Sequence, residues 1–144
     1  MGLSDKIKLQ YNILAKDLTA AGEASSSVKK KLNQLGVDPA LIKKLAIAMY
    51  EAEINAVIHA NGGTADIEID EEKIVVKISD EGPGIEDLTL AMQEGYTTAP
   101  DSIRAMGFGA GMGLPNMKRY ADKLDVYTEV GKGTVVTIIV FLNS

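Results

Sequence analysis

The most constraining stretch of this chain is one long apolar helix whose two ends are both marked. Asp38-Pro39 opens it. Aspartate is a favoured N-cap, and proline fits the first helical position because its missing N–H would have no partner there. Asn61-Gly62-Gly63 closes it, so the helix is expected to run from Pro39 to about His59 or Ala60. From Leu41 to His59 apolar side chains fall on nearly every face, the pattern of a buried helix rather than a surface one.

The segments around it read as alternating layers. Ile7, Leu9, Tyr11 and Ile13 alternate as a strand does. Asp17 to Gly36 carries Val28, Leu32 and Leu35 at helical spacing, with Gly36 as a stop. Ala65–Asp70 and Lys73–Asp80 form two short strands joined near Glu71-Glu72. Asp87–Gln93 reads as a short helix, and Gly95–Ala110 as a long loop without periodicity, of the kind usually tied to function. Met112–Leu124 reads as a second long helix, and Leu124–Glu129 and Thr134–Phe141 as a hairpin around Gly131-Lys132-Gly133. The expected fold is an α/β two-layer sandwich over residues 1–144, one domain, with a mixed sheet and helices on one face.

Polar residues inside the apolar helix need an explanation. Glu51 and Asn55 are one turn apart, roughly 40° in projection, and Ile47 and Ile58 lie near the same stripe. A carboxylate among isoleucines is costly to bury without a partner. Two readings stand: a solvated surface stripe, or a working pair in which Asn55 offers a neutral oxygen to Mg²⁺ and Glu51 orients or deprotonates a hydroxyl. Glu53, on the opposite side, is read as the wet side of the helix. His59 is the single histidine and is read as a capping or packing residue.

Two glycine segments follow. Asp80-Glu81-Gly82-Pro83-Gly84-Ile85 places a carboxylate at a strand end, in a turn whose glycines permit close approach of a ligand. Such a carboxylate is a good acceptor for the exocyclic amino group of adenine. Gly107-Phe108-Gly109-Ala110-Gly111-Met112-Gly113-Leu114 has glycine at every second position. This run cannot be the interior of a strand or helix without penalty, but it can wrap phosphates and hand them to the N-terminus of the next helix. It is not a Walker A loop, since Gly-Lys-Ser/Thr is absent, nor a dinucleotide fingerprint. Arg104 and Lys118 are phosphate neighbours or solvated charges, the latter reading favoured for Lys118.

In this order the segments resemble the GHKL ATPase superfamily, with its Bergerat fold. Glu51-x-x-x-Asn55 looks like the N-box, Asp80-x-Gly82-x-Gly84 like the G1 box, and Gly109-x-Gly111-x-Gly113-Leu114 like the G2 box. Gly133-Thr134 resembles the closing Gly-Thr. Glu-Ala-x-x-Asn-Ala and the run through Lys118-Arg119 are most similar to the anti-sigma-factor serine/threonine kinases of the RsbW, SpoIIAB and RsbT group. The resemblance implies Glu51 as base for a protein hydroxyl, Asn55 as Mg²⁺ ligand and Asp80 as reader of adenine. It implies Gly82 and Gly84 at the adenine pocket, and Gly109, Gly111, Gly113, Leu114 and Thr134 around the rest of ATP. It further implies a STAS-domain antagonist as phosphoacceptor, a homodimer, and in some members a bound sigma factor. Arg104 departs from the group's pattern, lying several residues upstream of the arginine that reaches the terminal phosphate.

The bulk numbers narrow the field. A formal charge of -5 and a pI near 4.9 argue against nucleic acid as a partner. No run of 18 apolar residues reads as a membrane span. The lack of cysteine excludes a disulfide frame and a thiolate metal site and accords with a cytoplasmic setting. Two alternatives to a kinase stay open: a nucleotide-dependent interaction module without catalysis, and a detached catalytic domain of a sensor histidine kinase.

Overall fold

A computed structural model describes residues 6–13, 22–59, 62–82 and 113–142. The order is β1 (Ile7–Ile13), α1 (Glu23–Gln34), α2 (Pro39–His59), β2 (Gly63–Ile69), β3 (Lys73–Asp80), α3 (Gly113–Tyr120), β4 (Lys123–Glu129) and β5 (Gly133–Phe141). The strands form one sheet in the order β1-β2-β3-β5-β4. The two-layer α/β expectation holds, with one correction. Among the described residues every pairing is antiparallel, so the sheet they form is not mixed. Two tight hairpins, β2–β3 and β4–β5, force opposite directions. The connection from β1 to β2 uses two helices, an even number of passes, which brings the chain back antiparallel.

The caps explain the helix limits. Asp38 Oδ1 accepts the Ala40 N–H at 2.9 Å, and the Asp38 carbonyl takes Leu41 and Ile42, so α2 starts at Pro39 as its sequence requires. At the end of α1, Gly36 has φ 76. There Val37 N–H bonds the Leu32 carbonyl at 3.1 Å and Gly36 N–H bonds Asn33 at 3.1 Å. This is a Schellman closure, which only a residue at ease with positive φ makes cheaply. Leu35 ends up as the C-cap and 43% exposed, so it is not on the apolar stripe with Val28 and Leu32. The expected helix Met112–Leu124 is shorter than its sequence reading. Within the described residues α3 ends at Tyr120, and Lys123 and Leu124 already belong to β4, paired with Ile139 and Ile138.

The core lies between the sheet and the helices. Ile67, Ile74, Val76, Ile78, Val136, Ile138 and Val140 supply the sheet side. Ile42, Leu45, Ala48, Met49, Ala52, Ala56 and Val57 supply the α2 side. Helix α2 packs on α1, on α3 and on strands β1, β3 and β5. Helix α1 reaches β1 and α3 reaches β4, the two opposite edges of the sheet, so α2 occupies the middle of the helical layer. Among the described residues no helix is long and apolar enough to cross a membrane. The expected helix Asp87–Gln93 and loop Gly95–Ala110 lie outside the described residues.

Candidate functional site

Helix α2 is buried along most of its circumference but leaves one stripe open. Lys43 is exposed and Ile47, Glu51 and Asn55 are half-buried, each four residues from the last. Ala48, Met49, Ala52 and Ile54, between them, are buried, whereas Tyr50 is 36% exposed. The Glu51 and Asn55 side chains are half-buried, on a helix with α3 packed beside it. Burial raises the Glu51 carboxyl above its ordinary 4.5, while a side-chain hydrogen bond from Asn116 on α3 pulls it back down. A raised carboxylate is a better proton acceptor near neutral pH.

Glu53 corrects the sequence reading outright. It is not a wet residue; it is 2% exposed. Its carboxylate accepts the N–H groups of Gly22 at 3.0 Å, Ala24 at 3.2 Å and Ser25 at 2.9 Å, and the Ser25 hydroxyl at 2.6 Å. Those are the donors that the first turn of α1 leaves without helical partners. The residue at the N-cap position, Gly22, has no side chain to cap with, and Glu53 from α2 supplies the missing oxygens. Tyr50 lies beside this junction, its ring 3.0 Å from where a Gly22 Cβ would stand. Burial and then the charges of Glu51 and Glu53 push the Tyr50 hydroxyl above its ordinary 10.0. The helix that carries Glu51 and Asn55 is thus tied rigidly to α1.

Asp80 ends β3 and holds two backbone groups with one oxygen. Its Oδ1 accepts Gly82 N–H at 2.9 Å and Thr134 N–H at 3.1 Å. Among the described residues Oδ2 takes no hydrogen bond. Thr134 is 8% exposed, and its hydroxyl shares a 2.9 Å bond with that of Thr128, which is also 3.3 Å from the Gly133 carbonyl. Gly133 has φ 138, and a Cβ there would lie 2.1 Å from the Asp80 carbonyl oxygen. Only glycine lets β5 begin against the Asp80 turn. Gly63 faces Asp80 across the β2–β3 register. Since α2 ends at His59, four Cα steps separate its end from that position, at most about 15 Å. The end of α2 and the Asp80 turn therefore share one end of the sandwich.

The structure brings Asp80, Gly82 and Thr134 together, and puts Glu51 and Asn55 on one open stripe of α2. Leu114 is buried in the core at the start of α3, which begins at Gly113. Gly84, Gly109, Gly111 and Arg104 lie outside the described residues, and Lys118 is exposed, as a solvated charge would be. Sequence reasoning missed Asn116 and Thr128. Asn116 carries no motif signal, although it is the polar residue in the run Leu114-Pro115-Asn116-Met117, whose other members are buried. Thr128 could have been found from the hairpin register, which pairs it with Thr134.

A helical layer on one face of an antiparallel sheet, with an acid–amide stripe on its central helix and an aspartate turn at a strand end, is the layout of a GHKL-type ATPase domain. The chain belongs to the histidine kinase-like ATPase domain family, whose sequence profile matches residues 14–140. It is 32% identical over 141 residues to the anti-sigma F factor of Clostridium acetobutylicum, covering 93% of this chain and 92% of that protein. It is 32% identical over 131 residues to the serine/threonine-protein kinase RsbT of Bacillus subtilis, covering 88% of this chain and 90% of that one. In fold it is similar to the RsbU and RsbW domains of a Mycobacterium tuberculosis protein, with a TM-score of 0.61 and 16% identity over 92% of this chain and 32% of that one.

Proposed function

We propose that this chain is an ATP-dependent serine/threonine protein kinase of the anti-sigma-factor type. The observation that carries the reading is the half-buried acid–amide pair on the central helix α2, with Glu51 made more basic by burial and Asn55 one turn away. Adenine binds at the Asp80 turn, where Oδ2, which no described residue engages, accepts the exocyclic amino group while Oδ1 holds Gly82 and Thr134 in place. Gly82 and Gly84 shape that pocket. Gly109, Gly111 and Gly113, leading to Leu114, surround the phosphates.

The donor set suits magnesium brought in with the nucleotide. Among the described residues no group of three or more His, Cys, Asp or Glu forms a dedicated metal cage. Mg²⁺ in nucleotide sites is held by one or two protein oxygens plus phosphates and water, and the Asn55 amide oxygen fits that role. Bound there, the ion would neutralise charge on the phosphate chain. In the transfer step the acceptor hydroxyl oxygen bonds to the γ-phosphorus and the bond to the bridging oxygen breaks. ADP leaves with that electron pair, and the hydroxyl proton passes to the Glu51 carboxylate.

The names of the relatives, an anti-sigma F factor and a serine/threonine-protein kinase, support the sigma-factor and kinase parts of a finer reading. The family resemblance of the motifs is what suggests the rest, a serine or threonine of a STAS-domain antagonist as acceptor and a homodimer working in the cytoplasm. Glu51→Ala tests the core of this. With γ-labelled ATP and an acceptor recovered from the source cell by pull-down, the variant should bind ADP normally and lose phosphotransfer. Undiminished transfer would remove Glu51 as the base. An acid-labile product would indicate phosphohistidine and a different kinase class.

A further inference from the structure

Strand β5 lies between β3, which ends in Asp80, and β4, which carries Thr128. The first two residues of β5 both lean on the Asp80 turn. A Gly133 Cβ would meet the Asp80 carbonyl oxygen, and the Thr134 N–H bonds Asp80 Oδ1 at 3.1 Å. From the other side one hydroxyl reaches both residues. Thr128 Oγ1 stands 2.9 Å from Thr134 Oγ1 and 3.3 Å from the Gly133 carbonyl oxygen. A threonine hydroxyl has one hydrogen to give, and a carbonyl oxygen only accepts. Both contacts are hydrogen bonds at once in a single arrangement: Thr128 donates to Gly133, and Thr134 donates to Thr128. The Thr134 hydrogen then points toward β4, away from the strand that bears Asp80. Thr134 keeps only lone pairs for a ligand at the turn.

We propose that Thr128 is a specificity-determining positioning residue: it holds the Thr134 hydroxyl as an acceptor, so that the Asp80 turn offers a purine acceptors alone. The inference rests on the reading of this turn as the adenine site. An ionised carboxylate and a hydroxyl with its hydrogen committed suit a 6-amino purine, whose amino group donates. A 6-oxo purine brings a carbonyl oxygen to the same place. An unrestrained Thr134 hydroxyl would rotate and donate to that oxygen. Held by Thr128 it does not, and the 6-oxo purine meets acceptors with an acceptor. Thr128 itself touches no nucleotide; it acts through the Thr134 hydroxyl.

Calorimetric titration of the full chain with Mg·ADP and Mg·IDP tests this, read as the ratio of the two affinities. Thr128→Val removes the hydroxyl and nearly keeps the shape. In it IDP should bind about three- to tenfold more tightly than to the parent, with ADP affinity changed by less than about twofold. Thr128→Ser keeps the hydroxyl and should keep the parental ratio. In a Thr134→Val background the Thr128→Val change should leave the ratio where it was, because no hydroxyl remains to turn. Thr128→Ala carries the test if the valine variant fails to fold by circular dichroism. A parental ratio in Thr128→Val overturns the proposal. So does equal weakening of both nucleotides, the mark of a merely structural role, or an undiminished gain for IDP in the Thr134→Val background. A parent that binds ADP and IDP alike, or neither, instead overturns the adenine site, and this inference with it.

Discussion

Replacing Glu53 should damage the fold more than its position on a kinase-like helix would suggest. In Glu53→Ala the first turn of α1 loses every oxygen that receives Gly22, Ala24 and Ser25, and Ala24 and Ser25 are both buried. A buried N–H left without a partner costs about 1–3 kcal/mol, and hydrogen bonds to charged groups contribute about 1.5–3 kcal/mol each. These terms do not add fully, since the turn relaxes and water enters, so a loss of about 3–5 kcal/mol is expected. Glu53→Gln retains the shape but turns an NH₂ toward donors, so about 2–3 kcal/mol is expected. Urea unfolding should show a lower midpoint with an unchanged slope. Hydrogen exchange should lose protection at Ala24 and Ser25 ahead of β3 and β5. A Glu53→Gln midpoint corresponding to less than about 0.5 kcal/mol, with protection at those two amides intact, would refute the capping argument.

Three further outcomes follow from the site. Asn55→Ala should remove the magnesium dependence of nucleotide affinity while leaving the melting temperature nearly unchanged, because Asn55 lies on the open stripe; titrations with and without magnesium check it. The rate of phosphotransfer should fall on the acid side as Glu51 takes up a proton. Burial raises this carboxyl, so the midpoint of that limb should lie above 4.5, and ADP affinity should not follow it. Gly133→Ala should destabilise the fold by more than about 2 kcal/mol in thermal or urea unfolding, since a Cβ at φ 138 would lie 2.1 Å from the Asp80 carbonyl oxygen.

What the sequence could reveal was decided by the range of the interactions. The Asp38-Pro39 start, the Gly36 stop and the Gly131-Lys132-Gly133 hairpin are made by residues within six positions of each other, and all are plain in the chain. The Glu51–Asn55 pair was legible because helical period alone puts the two side chains on one stripe. Glu53 was misread for the same reason that Glu51 was not. Periodicity says that it points the other way, but only the tertiary fold says that the N-terminus of α1, 28 to 31 residues earlier, is waiting there. Asn116, whose amide lowers the Glu51 carboxyl, stands 65 positions further on, with no local trace in the sequence. Strand direction was misjudged because element order does not fix it; the two hairpins and the paired helices do. The end of α3 was placed too late because Lys123 and Leu124 suit either a helix or a strand, and pairing with β5 settles them as strand.

The proposed phosphotransfer depends on an adenine nucleotide held by the Asp80 turn. The direct measurement is calorimetric titration with Mg·ADP and Mg·IDP, which differ in the amino group that Asp80 Oδ2 would accept. ADP should bind and IDP should bind at least about tenfold more weakly, as should ADP to Asp80→Asn, whose amide keeps the turn but replaces the acceptor with a donor. Equal affinity for ADP and IDP, or no binding of either at millimolar concentration, would contradict the assignment of this site.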